Sequence, residues 1–349
     1  MEQKKTNKTE EKKSHGTVIL LVIVAVLLIG GLIVYGVMNS KEKPVEEEME
    51  TTYGDETLCI DPDVDKALSD YRLIEIAGID QGPRTDVIFV AALNKKTKEG
   101  KLFTVYRDTL MQLSPEGKVY PCGGHESQFF KCNHAYFYED KRASMKMLNA
   151  HLDLNIREFL GINWDGVKYL VDEVGGIDVD VTPNIIGLIN GNLDDQNKIT
   201  TTGMQTLNGT QAVQYCRVRK DADATVRSHR NEDVIIQLFN KINQFDTKKK
   251  IELYDKLVDY FDTNMSRTTV TELIGELSSV SLTSVDGFPN DYTIMWDEWD
   301  AFYYYVPQPD LVTNVTKLHA DAFGQSDYKP SKMAQKMNDN IKNHEVNLH

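Results

Sequence analysis

An α/β layered domain, with one mixed central sheet covered on both faces, is the fold class this sequence predicts, set behind a single N-terminal transmembrane helix. Three observations lead there. From about residue 70 onward, β-branched and apolar runs bounded by turn residues alternate with stretches of helical period. The segment Ile177-Asp178-Val179-Asp180-Val181 alternates strictly, the mark of a strand with one face buried. Residues Thr17 to Met38 are almost wholly apolar and carry no charge.

That apolar run is 22 residues long, and a helix needs about 20 to cross a bilayer. The apolar core of a cleaved signal peptide is about 7–15 residues, so an uncleaved anchor is expected. Lys4, Lys5, Lys8, Lys12 and Lys13 precede it, whereas Lys41 and Lys43 are soon followed by Glu46, Glu47 and Glu48. The excess of positive charge keeps the N-terminus in the cytoplasm and places the rest outside. The expected organisation is a cytoplasmic tail (1–16), the membrane helix (17–38), a Glu-rich linker (39–69), a globular domain (70–325) and a polar, frayed tail (326–349). The chain has 39 Lys+Arg against 53 Asp+Glu, a net charge of −14. A protein this acidic is a poor match for nucleic acid, so the expected partners include membrane lipid and no nucleic acid.

Within the domain, Tyr71–Gly78 and Thr85–Leu93 read as strands. Lys101–Tyr106 completes a hairpin with the second across a Lys-rich turn. Residues 122–132 read as a polar loop flanked by Cys122 and Cys132. Four cysteines allow three pairings, and an exported chain meets no reducing pool, so a Cys122–Cys132 bridge is the favoured one. Ala143–Asp153 and a short piece at Ile156–Phe159 read as helical. Gly166–Val174 is an amphipathic helix stopped by Gly175-Gly176. After the strand at 177–181, Ile185–Asn208 reads as a loop and Gly209–Cys216 as a short helix. Val226–Phe245, Ile251–Val258 and Val270–Val280 read as further helices, and Asp291–Trp296 and Phe302–Val306 as closing strands. In Tyr303-Tyr304-Tyr305, strand packing is favoured over a sugar-binding surface.

Against the acidic background, arginines gather at element ends. Arg84 and Asp86 open a strand, and Arg107-Asp108 closes one. Arg217 and Arg219 lie two apart, so an extended backbone would put both on one face. Arg227 and Arg230 fall near the start of a helix and on one side of it. The macrodipole disfavours cations there, which suggests an anion held between them. Any one of these arginines alone is more simply a solvated or ion-paired surface group. Together, their planar forks suit phosphate oxygens, most simply a pyrophosphate. Asp80 and Asp86 are the acidic counterpart. Two carboxylates beside phosphate oxygens suit a magnesium ion. Turn capping by Asp80 and an Arg84–Asp86 ion pair are the plainer readings. His229, between two arginines, reads as a surface or supporting residue before a proton shuttle, and His134 as structural.

Seven segments in this order resemble the LytR-CpsA-Psr family across residues 70–325. They are Ala77-Gly78-Ile79-Asp80, Arg84-Thr85-Asp86, Tyr106-Arg107-Asp108-Thr109, Asn133-His134-Ala135-Tyr136, Val174-Gly175-Gly176-Ile177-Asp178-Val179, Leu207-Asn208-Gly209-Thr210-Gln211-Ala212 and Arg217-Val218-Arg219-Lys220-Asp221. The resemblance implies an α/β/α core with a hydrophobic tunnel for a polyprenyl chain. It implies a phosphotransferase that moves a glycopolymer from an undecaprenyl-pyrophosphate carrier to peptidoglycan, outside the membrane of a Gram-positive-type bacterium. It further implies Asp80 and Asp86 as acids of a Mg2+ site and Arg107 beside the reacting phosphorus. Arg84, Arg217, Arg219, Arg227, Arg230 and Asn231 would bind the remaining oxygens. The chain departs from the family pattern at Arg227-Ser228-His229-Arg230-Asn231, where Asn231 stands for the usual Gln, in Ala224-Thr225-Val226, and in a short loop between Asp80 and Arg84. Two other readings of the same binding chemistry are a sensor of polyprenyl pyrophosphate and a pyrophosphatase that releases the polymer.

Overall fold

Tyr71–Ile79 (β1), Thr85–Asn94 (β2) and Glu99–Val105 (β3) form an antiparallel meander at the centre of the protein. In β2, Ile88 to Leu93 are all buried, the near-continuous apolar pattern of a strand covered above and below. The structure, a computed structural model, describes residues 54–218 apart from 81, 83 and 123, residues 281–349, and part of the chain between 234 and 273, including 256–266. The expected anchor at 17–38, most of the expected helix at 226–245 and nearly all of that at 270–280 lie outside the described residues. Among the described residues, no helix is long and apolar enough to cross a membrane.

Two segments expected to be outside the domain belong to it. Residues expected in the linker form a 3-10 turn, Asp55–Leu58, and a helix, Pro62–Ala67 (α1), with Asp61 as its N-cap and proline in its first turn. Leu58, Val64 and Leu68 are buried, so this segment packs onto the core. The apolar residues at 58, 60, 64 and 68 are its signal, outweighed in the sequence by acidic neighbours.

Leu110–Gln112 (β4), Tyr120–Cys122 (β5), His125–Ser127 (β6) and Phe129–Lys131 (β7) follow β3. The expected loop at 122–132 is therefore mostly short strands, with β5 paired to β6 and β7 to β4. The expected Cys122–Cys132 bridge is absent, and both thiols are free. The fold holds the two residues apart in different settings: Cys122 faces His125 in the β5–β6 hairpin, while Cys132, just past the end of β7, is buried with its Sγ 3.3 Å from the Tyr106 carbonyl.

His134–Tyr138 (α2) and Lys141–Leu152 (α3) lead to Glu158–Asn163 (β8). The stretch 156–159 thus enters a strand, not a helix. β8 runs parallel to β1, and its apolar residues 159–161 are buried in the sheet. Trp164–Glu173 (α4), Ile177–Val181 (β9), Pro183–Asn190 (α5), Gly203–Leu207 (β10) and Gly209–Arg217 (α6) come next. The expected loop at 185–208 holds a helix, opened by Pro183 in its first turn, and a strand paired with β9. Then come Phe261–Thr263 (β11), Ser281–Ser284 (β12), Tyr292–Asp297 (β13), Phe302–Pro307 (β14), Leu311–Phe323 (α7) and Lys332–Glu345 (α8). The strand order of the main sheet is β11-β8-β1-β2-β3-β12, with parallel and antiparallel pairs. β13 and β14 do not close this sheet but form a separate hairpin.

Side-chain alternation along β1 and β2 feeds two cores. Ile74, Ile76, Phe89 and Ala91 pack with residues of α4, α5 and α6. Leu73, Ala77, Ile88 and Val90 pack with residues of α3, α7 and α8. The mixed sheet is thus covered on both faces, as expected. The tail expected to be frayed is the helix α8, with Ala334, Met337 and Ile341 buried. Of the three adjacent tyrosines, Tyr304 and Tyr305 are buried and Tyr303 is exposed.

Candidate functional site

Strand direction gathers the candidate residues. β1 and β3 run the same way and β2 runs against them, so the end of β1, the start of β2 and the end of β3 share one edge of the sheet. These three ends carry Asp80, Arg84 with Asp86, and Arg107. β8 is parallel to β1 and ends at the same edge, where Asn163 caps α4.

The turn between β1 and β2 is closed by the Asp80 amide donating to the Arg84 carbonyl, 2.8 Å. Gly78 faces Val87 and Ile79 faces Thr85, so Asp86 is the extra residue of a β-bulge. A bulge re-aims the side chain it carries, and here the Asp86 carboxylate meets the Arg107 guanidinium. The Arg84–Asp86 ion pair, the plainer of the two readings of Asp86, gives way to this one. The Arg84 guanidinium carbon instead lies 5.5 Å from the Phe137 ring centroid.

Arg107 is held on both sides. Its neighbour Tyr106 donates its amide to the Phe288 carbonyl, 2.8 Å, and accepts from Thr109 Oγ1, 2.6 Å, and Cys132 Sγ. Its own carbonyl accepts the Asn133 amide at 3.4 Å. Its side chain is only 14% exposed. The guanidinium Nε is 3.4 Å from Asp108 Oδ2, and Asp108 Oδ1 is 2.7 Å from Lys131 Nζ. The result is a partly buried chain of alternating charge: Asp86, Arg107, Asp108, Lys131.

Arg217 enters from the helical layer. It is the last residue of α6, where the macrodipole favours a cation. It is therefore helical, not extended as its spacing from Arg219 suggested. α6 starts with an Asn208–Gln211 capping box. At Gly209 a Cβ would lie 2.1 Å from the Lys168 carbonyl oxygen, so only glycine lets α6 press onto α4 there. That contact fixes the line along which Arg217 Nη2 reaches Asp80 Oδ1, 3.7 Å away. Arg219, Arg227, His229, Arg230 and Asn231 lie outside the described residues.

Lys131 and Asp108 escaped the sequence reading as site residues. Lys131 lies 23 residues from Asp108, and only the β4–β7 register, with Leu110 facing Lys131, brings them together. His134 opens α2 and is buried. Burial, with Arg84 and Lys131 nearby, pushes its pKa down to about 4, so the ring is neutral near pH 7. Tyr136 donates to Asp262 Oδ2, 2.7 Å, and ties α2 to β11.

The donors available to a cation are hard carboxylate oxygens. Among the described residues, no group of three or more His, Cys, Asp or Glu would hold a metal ion. Asp80 and Asp86 stand at the same end of the sheet, the first beside Arg217 and the second beside Arg107.

A mixed sheet between two helical layers, with carboxylates and cations gathered at one strand edge, defines a layered α/β protein with an ion-paired site. The LytR_cpsA_psr family model matches residues 34–320, and the chain belongs to that family. The polyisoprenyl-teichoic acid–peptidoglycan teichoic acid transferase TagV of Bacillus subtilis is 26% identical over 254 residues, 72% of this chain and 62% of its own length. The enzyme of that description named TagU from Enterococcus faecalis is 30% identical over 168 residues, 47% of this chain and 48% of its own. Among solved structures, B. subtilis TagV superposes with a TM-score of 0.55 at 24% identity, covering 75% of this chain and 99% of that one. Protein gbs0355 from Streptococcus agalactiae gives 0.59 at 22% identity, covering 77% and 91%. These likenesses establish the mixed α/β fold.

Proposed function

We propose that this protein is a membrane-anchored phosphotransferase that moves a glycopolymer from an undecaprenyl-pyrophosphate carrier to peptidoglycan. The observation that carries this reading is the convergence of Asp80, Asp86, Arg107 and Arg217 at one edge of the sheet. The names of the relatives supply the substrate class. Phosphoryl transfer asks a protein mainly to position groups and neutralise charge. A sugar hydroxyl of peptidoglycan attacks the phosphorus bonded to the glycopolymer. The bond from that phosphorus to the bridging oxygen breaks, and undecaprenyl phosphate leaves. The hydroxyl proton passes to a carboxylate at the strand edge, with Asp80 the more exposed of the two.

Arg107 and Arg84 meet the phosphate oxygens, and Arg217, Arg219, Arg227, Arg230 and Asn231 complete the cradle. Asp80 and Asp86 would hold magnesium, which when bound neutralises the diphosphate. The polyprenyl chain would need a hydrophobic tunnel opening at that edge, as the family resemblance implies. The anchor at 17–38 keeps the domain against the outer face of the membrane, where the carrier head group lies.

Arg107→Lys is the sharpest test, because it keeps the charge but removes the fork that suits phosphate. Transfer from a lipid-linked donor to soluble glycan strands should fall by about 100-fold or more, with the thermal midpoint nearly unchanged. Wild-type turnover by the variant would refute the assignment. Release of free phosphorylated glycan, with none joined to the acceptor, would instead identify a pyrophosphatase.

A further inference from the structure

We propose a second site: a subsite for an uncharged sugar ring of the acceptor glycan, in the cleft between the β5–β6 hairpin, the turn from β13 to β14, and α8. The proposal rests on the transferase reading for its choice of glycan, but its geometry is independent. The cleft has a volume of ≈ 260 Å³. Ligand pockets start near ~300 Å³, so it suits one ring of a chain and not a whole ligand.

Its lining excludes other occupants. Glu126, Asp297 and Asp300 line it and, among the described residues, no Lys or Arg does, so it repels phosphate and the anionic donor polymer. A resident metal is not favoured, since no cluster among the described residues would hold one. What remains favours a neutral ligand rich in hydroxyls. Trp299 is 68% exposed, although its indole is braced by an edge contact with His125 at 4.9 Å. An exposed but oriented aromatic ring is the usual platform for the apolar face of a sugar. The Trp299 amide donates to Asp297 Oδ1, 2.8 Å, which fixes the turn that carries it. His344 is stacked on Phe129, with ring centroids 4.3 Å apart and planes 10° from parallel. Its Nε2 has no hydrogen-bond partner among the described residues, and the nearest carboxylate oxygen, on Asp297, is 3.8 Å away.

The cleft is coupled to the strand edge. The Tyr305 amide of β14 donates to the Asp108 carbonyl, 2.9 Å, one residue beyond Arg107. Lys131 spans the same join, bonded to Asp108 and 5.1 Å from the Phe302 ring centroid. A glycan seated on Trp299 therefore lies on the hairpin that abuts the reacting edge. The family match ends at residue 320, whereas His344 comes from α8. The cleft is thus built partly from chain beyond the shared domain.

The test uses the full chain in a zwitterionic detergent, since sugar-headed detergents would compete. The probe is the β-1,4-linked trisaccharide of N-acetylglucosamine, titrated by calorimetry. Saturable binding is expected, with Kd on the order of 1 mM. Trp299→Ala should weaken it at least about tenfold, while Trp299→Phe largely restores it. Tyr303→Ala, exposed on the same hairpin but outside the cleft, should bind like wild type. Absence of saturable binding, unchanged affinity in Trp299→Ala, or equal loss in Tyr303→Ala would overturn the proposal. Trisaccharide binding in a protein that transfers nothing would remove the transferase reading and leave this subsite standing. Transfer without such binding would do the reverse.

Discussion

Arg107 is a cation kept between two carboxylates, and that arrangement has a chemical consequence. Asp86 and Asp108 orient the guanidinium, and Lys131 balances the second acid. In so enclosed a site, where the four side chains are 11–17% exposed, charge interactions are screened less than at the surface. Lys131→Met would take one cation away from Asp108 and add a net negative charge beside an incoming phosphate. The donor's KM should rise by about tenfold, or ~1.4 kcal/mol, with a smaller change in kcat. An unchanged KM would show that Lys131 only braces the fold. At this scale the sequence shows where a residue stands when its place follows from its own strand end, as for Asp80, Asp86 and Arg107. It was silent where the contact depends on a distant register, as for Lys131. The cysteine pairing failed for the same reason: nearness along the chain says nothing about where β5 and the end of β7 carry each thiol.

Among the elements, long strands and strongly periodic helices were legible and short or polar ones were not. β1, β2, β3, β9 and α4 carry dense apolar patterns. In α8, Lys, Asn, Gln and Asp outnumber the apolar residues, so the stripe of Met333, Met337 and Ile341 was lost among polar neighbours. Its packing is nevertheless specific. Ser331 caps the helix and bonds Asp153 at the end of α3, with Oγ–Oδ1 2.6 Å. Asn338 Oδ1 accepts the Leu311 amide at the start of α7, 3.1 Å. Removing residues 329–349 would uncover Leu311 and the apolar contacts of Met337 and Ile341. Each buried side chain of that size contributes about 1.5–3 kcal/mol. The truncated protein should therefore lose at least about 3 kcal/mol in denaturant unfolding. A midpoint equal to that of the full chain would show α8 to be dispensable to the fold.

Taken as one molecule, the fold stores opposing ionisations, and these set its response to pH. Glu75, in the middle of β1, is fully buried with one oxygen accepting from Ser144, 2.6 Å, and the other without a partner among the described residues. Burial raises its pKa from the ordinary 4.5 to about 8. Its contribution is therefore complete below 4.5 and is lost as pH rises toward 8. His134 and His151 are the opposite case. Burial pushes both down from 6.5 to about 4, so their contribution is complete above 6.5 and is lost as pH falls toward 4. Between 4.5 and 6.5 the two histidines bind more protons in the unfolded chain than Glu75 binds in the folded one, so stability rises with pH. Above 6.5, of these three groups only Glu75 still contributes, and its share of the stability falls by about 1.4 kcal/mol per pH unit until it ionises. The stability maximum should thus lie near pH 6.5, with a loss of about 2 kcal/mol by pH 8. Glu75→Gln keeps an oxygen for Ser144 but cannot ionise. Its unfolding free energy should stay level from pH 6.5 to 8 while the acidic limb remains. An equal alkaline decline in wild type and variant would mean that Glu75 is not the group that makes this fold less stable as the medium turns basic.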